Sequence, residues 1–214
     1  MLKGQPIENA VSFLFEMCYN IMMKFDQDIL NIVFFARGGQ GAKSATEILA
    51  QAGIFEGKFV KAFPEFGPER SGAPIKTYLR LSKKEIRTAE PILKPDIAIV
   101  LDDTVLESDK ISGSFDLDGE SIMIINSRKT PDEFRALIPK FKGKIYTIDA
   151  TGISLKTIGN PTPNMAIIGY LLKITEIVKL SNAIKVFENI FTKKIGADLT
   201  KKNISAMEKA YDSI

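Results

Sequence analysis

The stretch FFARGGQGAKSAT, residues 34–46, decides the fold. An apolar run ends at Arg37, and three glycines follow within residues 38–41. From Ala42 onward the apolar side chains recur at helical spacing until Gly57, a natural helix stop. A buried strand, a glycine turn and a helix in this order indicate an α/β fold. Such a turn exposes backbone N–H groups beside the positive end of the helix, so the pattern predicts a phosphate-binding loop.

The loop does not match either of the two familiar phosphate-binding motifs. Counted back from Lys43, the two glycines of a P-loop would fall on Arg37 and Ala42. Read as a dinucleotide fingerprint, residues 39–44 end in serine, and residues 58–63 offer no acidic side chain for a ribose. A nucleotide hydrolase and a standard dehydrogenase are therefore disfavoured. The glycines could also serve only to make a tight turn.

Outward from the loop, strand-like and helix-like segments alternate along the chain. Strands are predicted over residues 29–36, 58–63, 74–82, 96–102, 121–126 and 144–150, and helices over 42–57, 130–138, 164–178, 182–191 and 200–211. Residues 74–82 alternate between apolar and polar or basic side chains, which predicts a half-exposed antiparallel strand with a basic face. The sum is a three-layer α/β sandwich with a mostly parallel or mixed sheet and a helical C-terminal part.

Two helix starts carry capping signals. Thr130 is the expected N-cap of one helix, with Pro131 at the first helical position and acidic residues in the first turn. In GNPTPN, residues 159–164, we expect Asn164 to cap the helix that follows.

The most apolar stretch of the chain lies at its start, over residues 9–25. Glu16 and Asn20 interrupt it, so the uninterrupted run falls well short of the roughly 20 residues that a membrane span needs. It also lacks the basic residues and cleavage site of a signal peptide. We predict an N-terminal docking helix within residues 1–27, followed by one α/β domain over 28–214. Targeting, or translation from Met22 or Met23, are the alternatives.

Composition narrows the function classes. The 29 basic and 26 acidic residues leave a net charge of only +3, which favours neither nucleic acid nor a membrane as partner. The chain has no histidine, and Cys18 is its one cysteine. A Cys-only zinc or iron–sulfur site within the chain is therefore excluded, and so is an internal disulfide. These numbers predict a cytoplasmic globular protein that carries no redox centre ligated by its own thiols, and we predict no metal site in the chain.

Several separated motifs resemble those of one family. They are RGGQGAKSATEILAQAGIFEGKFVKAFPEFGPERSGAPIKTYLRLS at 37–82, KPDIAIVLDD at 94–103, NPTPNMAIIGYLL at 160–172 and KKNISAMEKAY at 201–211. In this order they resemble the gamma subunit of the 2-oxoacid:ferredoxin oxidoreductases, the group that includes pyruvate synthase. The resemblance covers residues 30–211. The N-terminal segment before Asp28 departs from it.

The resemblance implies a subunit of an enzyme complex. Such enzymes decarboxylate a 2-oxoacid oxidatively, pass the electrons to ferredoxin and release an acyl-CoA, or run in reverse. Thiamine diphosphate and iron–sulfur clusters are then expected only in the alpha, beta and delta-type partner subunits. This agrees with a chain that has a single cysteine and no recognisable thiamine-diphosphate motif. The role implied for the gamma chain is to help bind coenzyme A.

The glycine loop supplies the candidate residues for that role. We expect a set of backbone amides and basic side chains to hold the phosphate end of coenzyme A, namely those of Arg37, Gly38, Gly39, Gln40, Gly41 and Lys43. Their contribution would be positioning, and no residue is predicted to be catalytic. Two alternatives stay open: Arg37 could form a structural ion pair, and Lys43 could be an ordinary solvated helix residue.

A second candidate site is the loop PEFGPERSGAP, residues 64–74, whose two glycines and three prolines restrict the backbone. By resemblance it is expected to pack against the thiamine-diphosphate-binding subunits through Glu65, Gly67, Glu69, Arg70 and Gly72, with Asn164 as a further contact. A plain surface turn is the alternative. For the whole chain, the alternative function is a stand-alone coenzyme- or nucleotide-binding protein of the same fold. An isolated chain could also self-associate through surfaces meant for its partners.

Overall fold

A computed structural model describes residues 29–65, 72–107 and 121–214. Its strands are β1 (Leu30–Arg37), β2 (Phe59–Glu65), β3 (Pro74–Ser82), β4 (Ile97–Val100), β5 (Ile122–Asn126) and β6 (Lys144–Ile148). Its α-helices are α1 (Ala42–Phe55), α2 (Pro131–Leu137), α3 (Ala150–Thr157), α4 (Asn164–Thr175), α5 (Leu180–Ile195) and α6 (Ala197–Tyr211), and a 3-10 helix covers Asp103–Glu107. The predicted N-terminal helix lies outside the described residues, so the division at residue 28 stays a prediction.

The six strands form one mixed sheet in the order β2-β3-β1-β4-β5-β6. β1, β4, β5 and β6 run parallel to one another, and β3 runs antiparallel to both β1 and β2. The predicted mixed sheet and the antiparallel direction of residues 74–82 are confirmed.

Both faces of the sheet are covered, which gives the predicted three layers. Along β1 the side chains of Ile32 and Phe34 join a core with the long helices α1, α4, α5 and α6. Val33 and Phe35 point the other way, into a second core with α2 and the 3-10 helix. Because both faces of β1 are buried, its central residues 32–36 are all apolar and do not alternate with polar ones.

The basic face predicted for β3 is not exposed, and that part of the prediction is wrong. Tyr78 is 3% exposed and Arg80 is 5% exposed. The segment 83–96 covers them: Arg80 donates to the carbonyl of Glu90 at 2.7 Å, and Ile92 packs in the same core as Tyr78. The sequence of residues 74–82 contains no sign that the segment after the strand covers this face.

The helix starts were predicted in part. Thr130 and Glu133 form a complete capping box at the start of α2, as its sequence indicated. Asn164 is the first residue of α4 and not its N-cap, which is Pro163. The helix α3 was missed, because the predicted strand ran on to residue 150. Asp149 in fact ends that segment and caps α3 by accepting from the amide of Gly152 at 2.8 Å.

Three residues of the second candidate loop, Gly67, Glu69 and Arg70, lie outside the described residues. Within the ranges that are described, none of the helices is long and apolar enough to cross a membrane.

Candidate functional site

The glycine loop lies where the chain changes direction across the sheet. From β1 the chain crosses to β2 and β3 on one side, and the later strands β4, β5 and β6 continue on the other side. The loops after β1 and β4 therefore diverge at the carboxyl ends of two adjacent parallel strands. Open α/β sheets bind their ligands in the crevice at such a point.

The loop itself has a backbone that favours glycine. Gly39 and Gly41 have φ angles of +97° and +81°, in the region that side chains disfavour. The side chain of Gln40 folds back over the turn and accepts the amide of Arg37 at 2.8 Å, while the amide of Gln40 donates to the Arg37 carbonyl at 3.2 Å. Gln40 therefore holds the turn closed from inside.

Two of the four loop amides expected to face a ligand have partners within the protein. The amide of Gly38 donates to the carbonyl of Ala73 at 3.0 Å, and that of Gln40 has the bond just described. In the described part of the chain, the amides of Gly39 and Gly41 have no acceptor, and no side chain caps α1. The first-turn amides of α1 are also unpaired, as at any helix start that lacks a side-chain cap. The donors available to an anion are thus Gly39, Gly41 and the first turn of α1.

Arg37 links the glycine loop to the loop after β4. Its Nε and Nη2 donate to the hydroxyl of Thr104 at 2.9 and 2.8 Å, and its Nε lies 3.7 Å from Oδ2 of Asp102. The structural ion pair left open by the sequence is therefore present. The Arg37 side chain is nevertheless 36% exposed. The two bonds to Thr104 and a third bond from Nη1 to the carbonyl of Gly72 engage three of its five N–H groups.

Asp102 is a site residue that the sequence did not single out. Its Oδ2 accepts from the side-chain amide of Gln40 at 2.6 Å, and its Oδ1 accepts from the backbone of Thr104 at 3.1 Å. Burial raises the pKa of Asp102, but hydrogen bonds from Thr104 and Gln40 and the charge of Arg37 outweigh it, so its pKa lies below the usual value. The available signal was its position directly after a buried strand.

Lys43 and Asn164 border the start of α1 from two sides. Lys43 is the second residue of the helix, is exposed, and has no ion-pair partner among the residues that the structure describes. The side chain of Asn164 lies against Gly41, where an added Cβ would come within 2.7 Å of its Cγ. The structure thus brings Asn164 to the glycine loop, whereas the sequence linked it to the 159–164 turn and to the expected partner interface.

The second candidate loop reaches the same edge of the sheet. The carbonyl of Gly72 accepts from Nη1 of Arg37 at 3.2 Å, next to the bond between Ala73 and Gly38. Glu65, at the end of β2, accepts a hydrogen bond from the hydroxyl of Tyr78. Burial, together with that contact to Glu65, raises the pKa of Tyr78. Two motifs that are separate in sequence therefore form one surface.

This arrangement suits binding and orientation. Unpaired amides at a helix start, one partly exposed guanidinium and one exposed ammonium favour an anion, because each places positive charge at the same edge. Asp102 is fully used in holding Gln40 and Thr104, so it is committed to fixing the loop.

Comparisons with known proteins identify the family. Residues 31–213 match the family described as pyruvate ferredoxin/flavodoxin oxidoreductase. The pyruvate/ketoisovalerate oxidoreductases common subunit gamma of Thermococcus kodakarensis is 39% identical over 184 residues, which cover 86% of this chain and 96% of that protein. The pyruvate synthase subunit PorC of Thermotoga maritima is 37% identical over 183 residues, covering 86% and 93% of the two chains.

Solved structures show the same fold. The crystal structure of pyruvate oxidoreductase subunit PORC from Thermotoga maritima is 34% identical with a TM-score of 0.75, covering 86% of this chain and 96% of that one. A 2-oxoglutarate:ferredoxin oxidoreductase from Magnetococcus marinus, solved with 2-oxoglutarate, coenzyme A and succinyl-CoA bound, has a TM-score of 0.70 at 21% identity. That likeness covers 86% of this chain and 31% of the other, and it concerns the fold alone. With a family match that extends over most of its length, the chain belongs to the pyruvate ferredoxin/flavodoxin oxidoreductase family and is a gamma-type member of it.

Proposed function

We propose that this chain is the gamma subunit of a 2-oxoacid:ferredoxin oxidoreductase that acts on pyruvate. The complex would decarboxylate the 2-oxoacid oxidatively, transfer the acyl group to coenzyme A and reduce ferredoxin. Support comes from relatives that are named gamma subunits or pyruvate synthase subunits and that match this chain over nearly their full length. Alpha, beta and delta-type subunits are the partners that this assignment requires, and a cytoplasmic location follows from it.

Within the complex, the chain would hold the phosphate end of coenzyme A. The observation that carries this proposal is the group of unpaired donors at the start of α1: the amides of Gly39 and Gly41 and of the first helical turn, between Arg37 and Lys43. Phosphate oxygens are acceptors that carry negative charge, so the helix end and both side chains favour them.

The residues of the loop divide this work. Gln40 and Asp102 fix the shape of the turn through their 2.6 Å hydrogen bond. Arg37 anchors the loop to Thr104 and has two N–H groups left for a ligand. Lys43, the exposed second residue of α1, adds a positive charge beside these amides. Held there, coenzyme A would present its thiol to the acyl group on a partner subunit, and the gain would come from positioning.

The redox chemistry belongs to the partners. Thiamine diphosphate supplies carbanion stabilisation for decarboxylation, and iron–sulfur clusters carry the electrons to ferredoxin. The single cysteine of this chain is too few for a cluster site of its own.

The loop over residues 64–74 would contact the thiamine-diphosphate-binding subunits. Of its candidate contact residues, Glu65 and Gly72 are among those described; both lie at the same sheet edge as the glycine loop, and Gly72 bonds to Arg37. Gly67, Glu69 and Arg70 belong to the same proposed interface. A partner that packs on this loop would therefore also hold the coenzyme A loop in place.

Lys43→Ala in the assembled complex tests the coenzyme A assignment, with Lys156→Ala as matched control because Lys156 is an exposed helical lysine on α3. Loss of one charge-assisted contact, about 1 kcal/mol, should raise the Michaelis constant for coenzyme A about fivefold and leave that for pyruvate unchanged. Equal Michaelis constants for coenzyme A in the two variants would refute the coenzyme A role. Failure of the chain to co-purify anaerobically with thiamine-diphosphate and iron–sulfur subunits would refute the subunit assignment itself.

A further inference from the structure

A cavity of about 420 Å³ lies between α1, α5, α6 and the turn that joins α3 to α4. We call this cavity the helix pocket. It belongs to the face of the sheet that the long helices cover. Its volume falls within the range of small-molecule sites, which is roughly 300–1,000 Å³.

The floor of the helix pocket is apolar and partly aromatic. Phe187, Phe191 and Ile195 recur every four residues along α5, so they share one side of that helix. Ile48 of α1 and Leu199 of α6 line the same floor. The rings of Phe187 and Phe191 are stacked, with 5.0 Å between their centroids. A floor of this kind favours a flat ring.

The remaining lining carries polar groups that lack partners. In the described part of the chain, the hydroxyl of Ser44 makes no hydrogen bond, and Nδ2 of Asn164 has no acceptor although its Oδ1 is engaged. Asn203 donates from Nδ2 to the carbonyl of Leu199 at 2.7 Å, which leaves its Oδ1 as an acceptor. Adenine presents nitrogen acceptors and an amino donor along one edge, and an amide side chain can pair with both. The lining therefore matches the edge of a purine ring.

The helix pocket lies level with the glycine loop because α5 runs antiparallel to α1. At the start of α5, the amide of Lys179 and the side chain of Asn182 donate to Glu56, directly after α1, at 2.7 and 2.8 Å. The end of α5 therefore lies alongside the start of α1, where Ser44 and Ile195 line the same cavity.

Asn164 and Ser44 connect the helix pocket to the anion donors. The side chain of Asn164 contacts Gly41 and also lines the pocket. Ser44 is the third residue of α1, so the unpaired amides of the first turn lie within about 5 Å of it along the helix axis. A ligand whose phosphate lies on these amides can therefore place an adjoining ring in the pocket.

Positive charge lies on two sides of this arrangement. Lys43 follows the glycine loop on α1, and Nζ of Lys194 lies 5.3 Å from the centroid of the Phe191 ring. Both lysines are exposed, and neither has an ion-pair partner among the described residues. The charge favours a ring that is joined to phosphate groups over a neutral apolar ligand.

We propose that the helix pocket holds the adenine ring of coenzyme A. The apolar floor contacts the face of the ring, and the free polar groups of Ser44, Asn164 and Asn203 bind its edge. The phosphates then lie on the first turn of α1, and the thiol arm leads away toward the partner subunits. This inference rests on the proposed coenzyme A function and adds the residues that recognise the nucleoside.

Filling the helix pocket in the assembled complex tests the proposal. Leu199→Trp places an indole in the lining, at a position that is 41% exposed. Leu137→Trp is the matched control, because Leu137 is 46% exposed and ends α2, which covers the opposite face of the sheet. Two competitive inhibitors represent the two halves of coenzyme A: adenosine bisphosphate carries the adenine, and phosphopantetheine carries the thiol arm.

Leu199→Trp should raise both the Michaelis constant for coenzyme A and the inhibition constant of adenosine bisphosphate about tenfold, as expected when a stacked base is lost. The inhibition constant of phosphopantetheine should not change, and Leu137→Trp should alter none of the three constants. If Leu199→Trp does not assemble into the complex, Asn203→Ala replaces it. Its loss of one hydrogen bond should weaken the same two ligands about fivefold.

Two results would overturn the adenine assignment. Equal constants for coenzyme A in Leu199→Trp and Leu137→Trp would mean that the pocket is not used. An equal rise in the inhibition constants of adenosine bisphosphate and phosphopantetheine would mean that the pocket does not distinguish the nucleoside from the thiol arm. Lys43→Ala reports separately on the phosphate site, so a failure of the coenzyme A role and a failure of the pocket assignment give different results.

Discussion

Replacing Gly41 by alanine should destabilise the protein more than the same change at Gly39. Both glycines have positive φ angles, +81° and +97°, so a Cβ at either position costs about 1–2 kcal/mol. Their surroundings differ. A Cβ on Gly39 would meet no atom within 4 Å, whereas one on Gly41 would lie 2.7 Å from Cγ of Asn164.

The excess cost at Gly41 can be worked out from what Asn164 would lose. To make room, its side chain must turn away and give up the 3.0 Å hydrogen bond that its Oδ1 accepts from the amide of Met165. Such a bond contributes about 1 kcal/mol. The loss of chain entropy in the unfolded state is the same for both variants and cancels in the comparison. Gly41→Ala should therefore be about 1 kcal/mol less stable than Gly39→Ala.

Thermal and urea unfolding of the two variants measures this difference. For a chain of this size, about 1 kcal/mol lowers the melting temperature by about 2–4 °C relative to Gly39→Ala. In an Asn164→Ala background the gap between the two glycine variants should shrink, because the crowding side chain is gone. Equal melting temperatures for Gly39→Ala and Gly41→Ala would show that the contact with Asn164 does not constrain the loop.

Two further predictions concern the packing of the helices and the charge network. Gly169→Ala should destabilise the protein by about 3 kcal/mol and lower its melting temperature by several degrees. The added Cβ would lie 2.7 Å from the carbonyl carbon of Met207, where α4 crosses α6. An unchanged melting temperature would show that the two helices do not pack this closely. Asp102→Asn should be less stable than the parent at neutral pH by about 1–2 kcal/mol. Because the folded pKa of Asp102 lies below the ordinary value of 3.8, the parent's advantage is complete above that value and is lost as pH falls through the folded pKa. Unfolding free energies from pH 7 down to pH 3 check this, and a difference that stays constant throughout would rule out the charged network.

Much of the fold could be predicted because its signals are local. Residues 32–36 of β1 and all of β4 are continuous apolar runs, as is typical of strands buried on both faces. The capping box of Thr130 and Glu133 lies within one helical turn, so its residues identify each other in the sequence. Errors arose where the deciding contact is distant. The burial of Arg80 depends on the carbonyl of Glu90, and a residue on β3 cannot reveal that cover.

The candidate site also has one part that local sequence predicts and another that depends on distant contacts. The glycine loop and its basic neighbours were visible as a pattern, because a strand, a glycine turn and a helix are contiguous. Asp102 is only the last residue of the predicted strand 96–102, and its bond to Gln40 joins residues 62 positions apart. Asp102 becomes a site residue only when β4 pairs with β1.

The sequence by itself determined the strands, the helices other than α3, the mixed sheet and the glycine turn, since each depends on neighbouring residues and on periodicity. Only the tertiary structure decided which motifs share a surface. The order β2-β3-β1-β4 places the ends of β1, β2 and β4 and the start of β3 at one edge, which unites Arg37 with Gly72 and Thr104. It also decided which loop amides are available, because Gly38 donates to Ala73 across the paired strands. Strand order is set by the burial of whole faces, and no short stretch of residues encodes it.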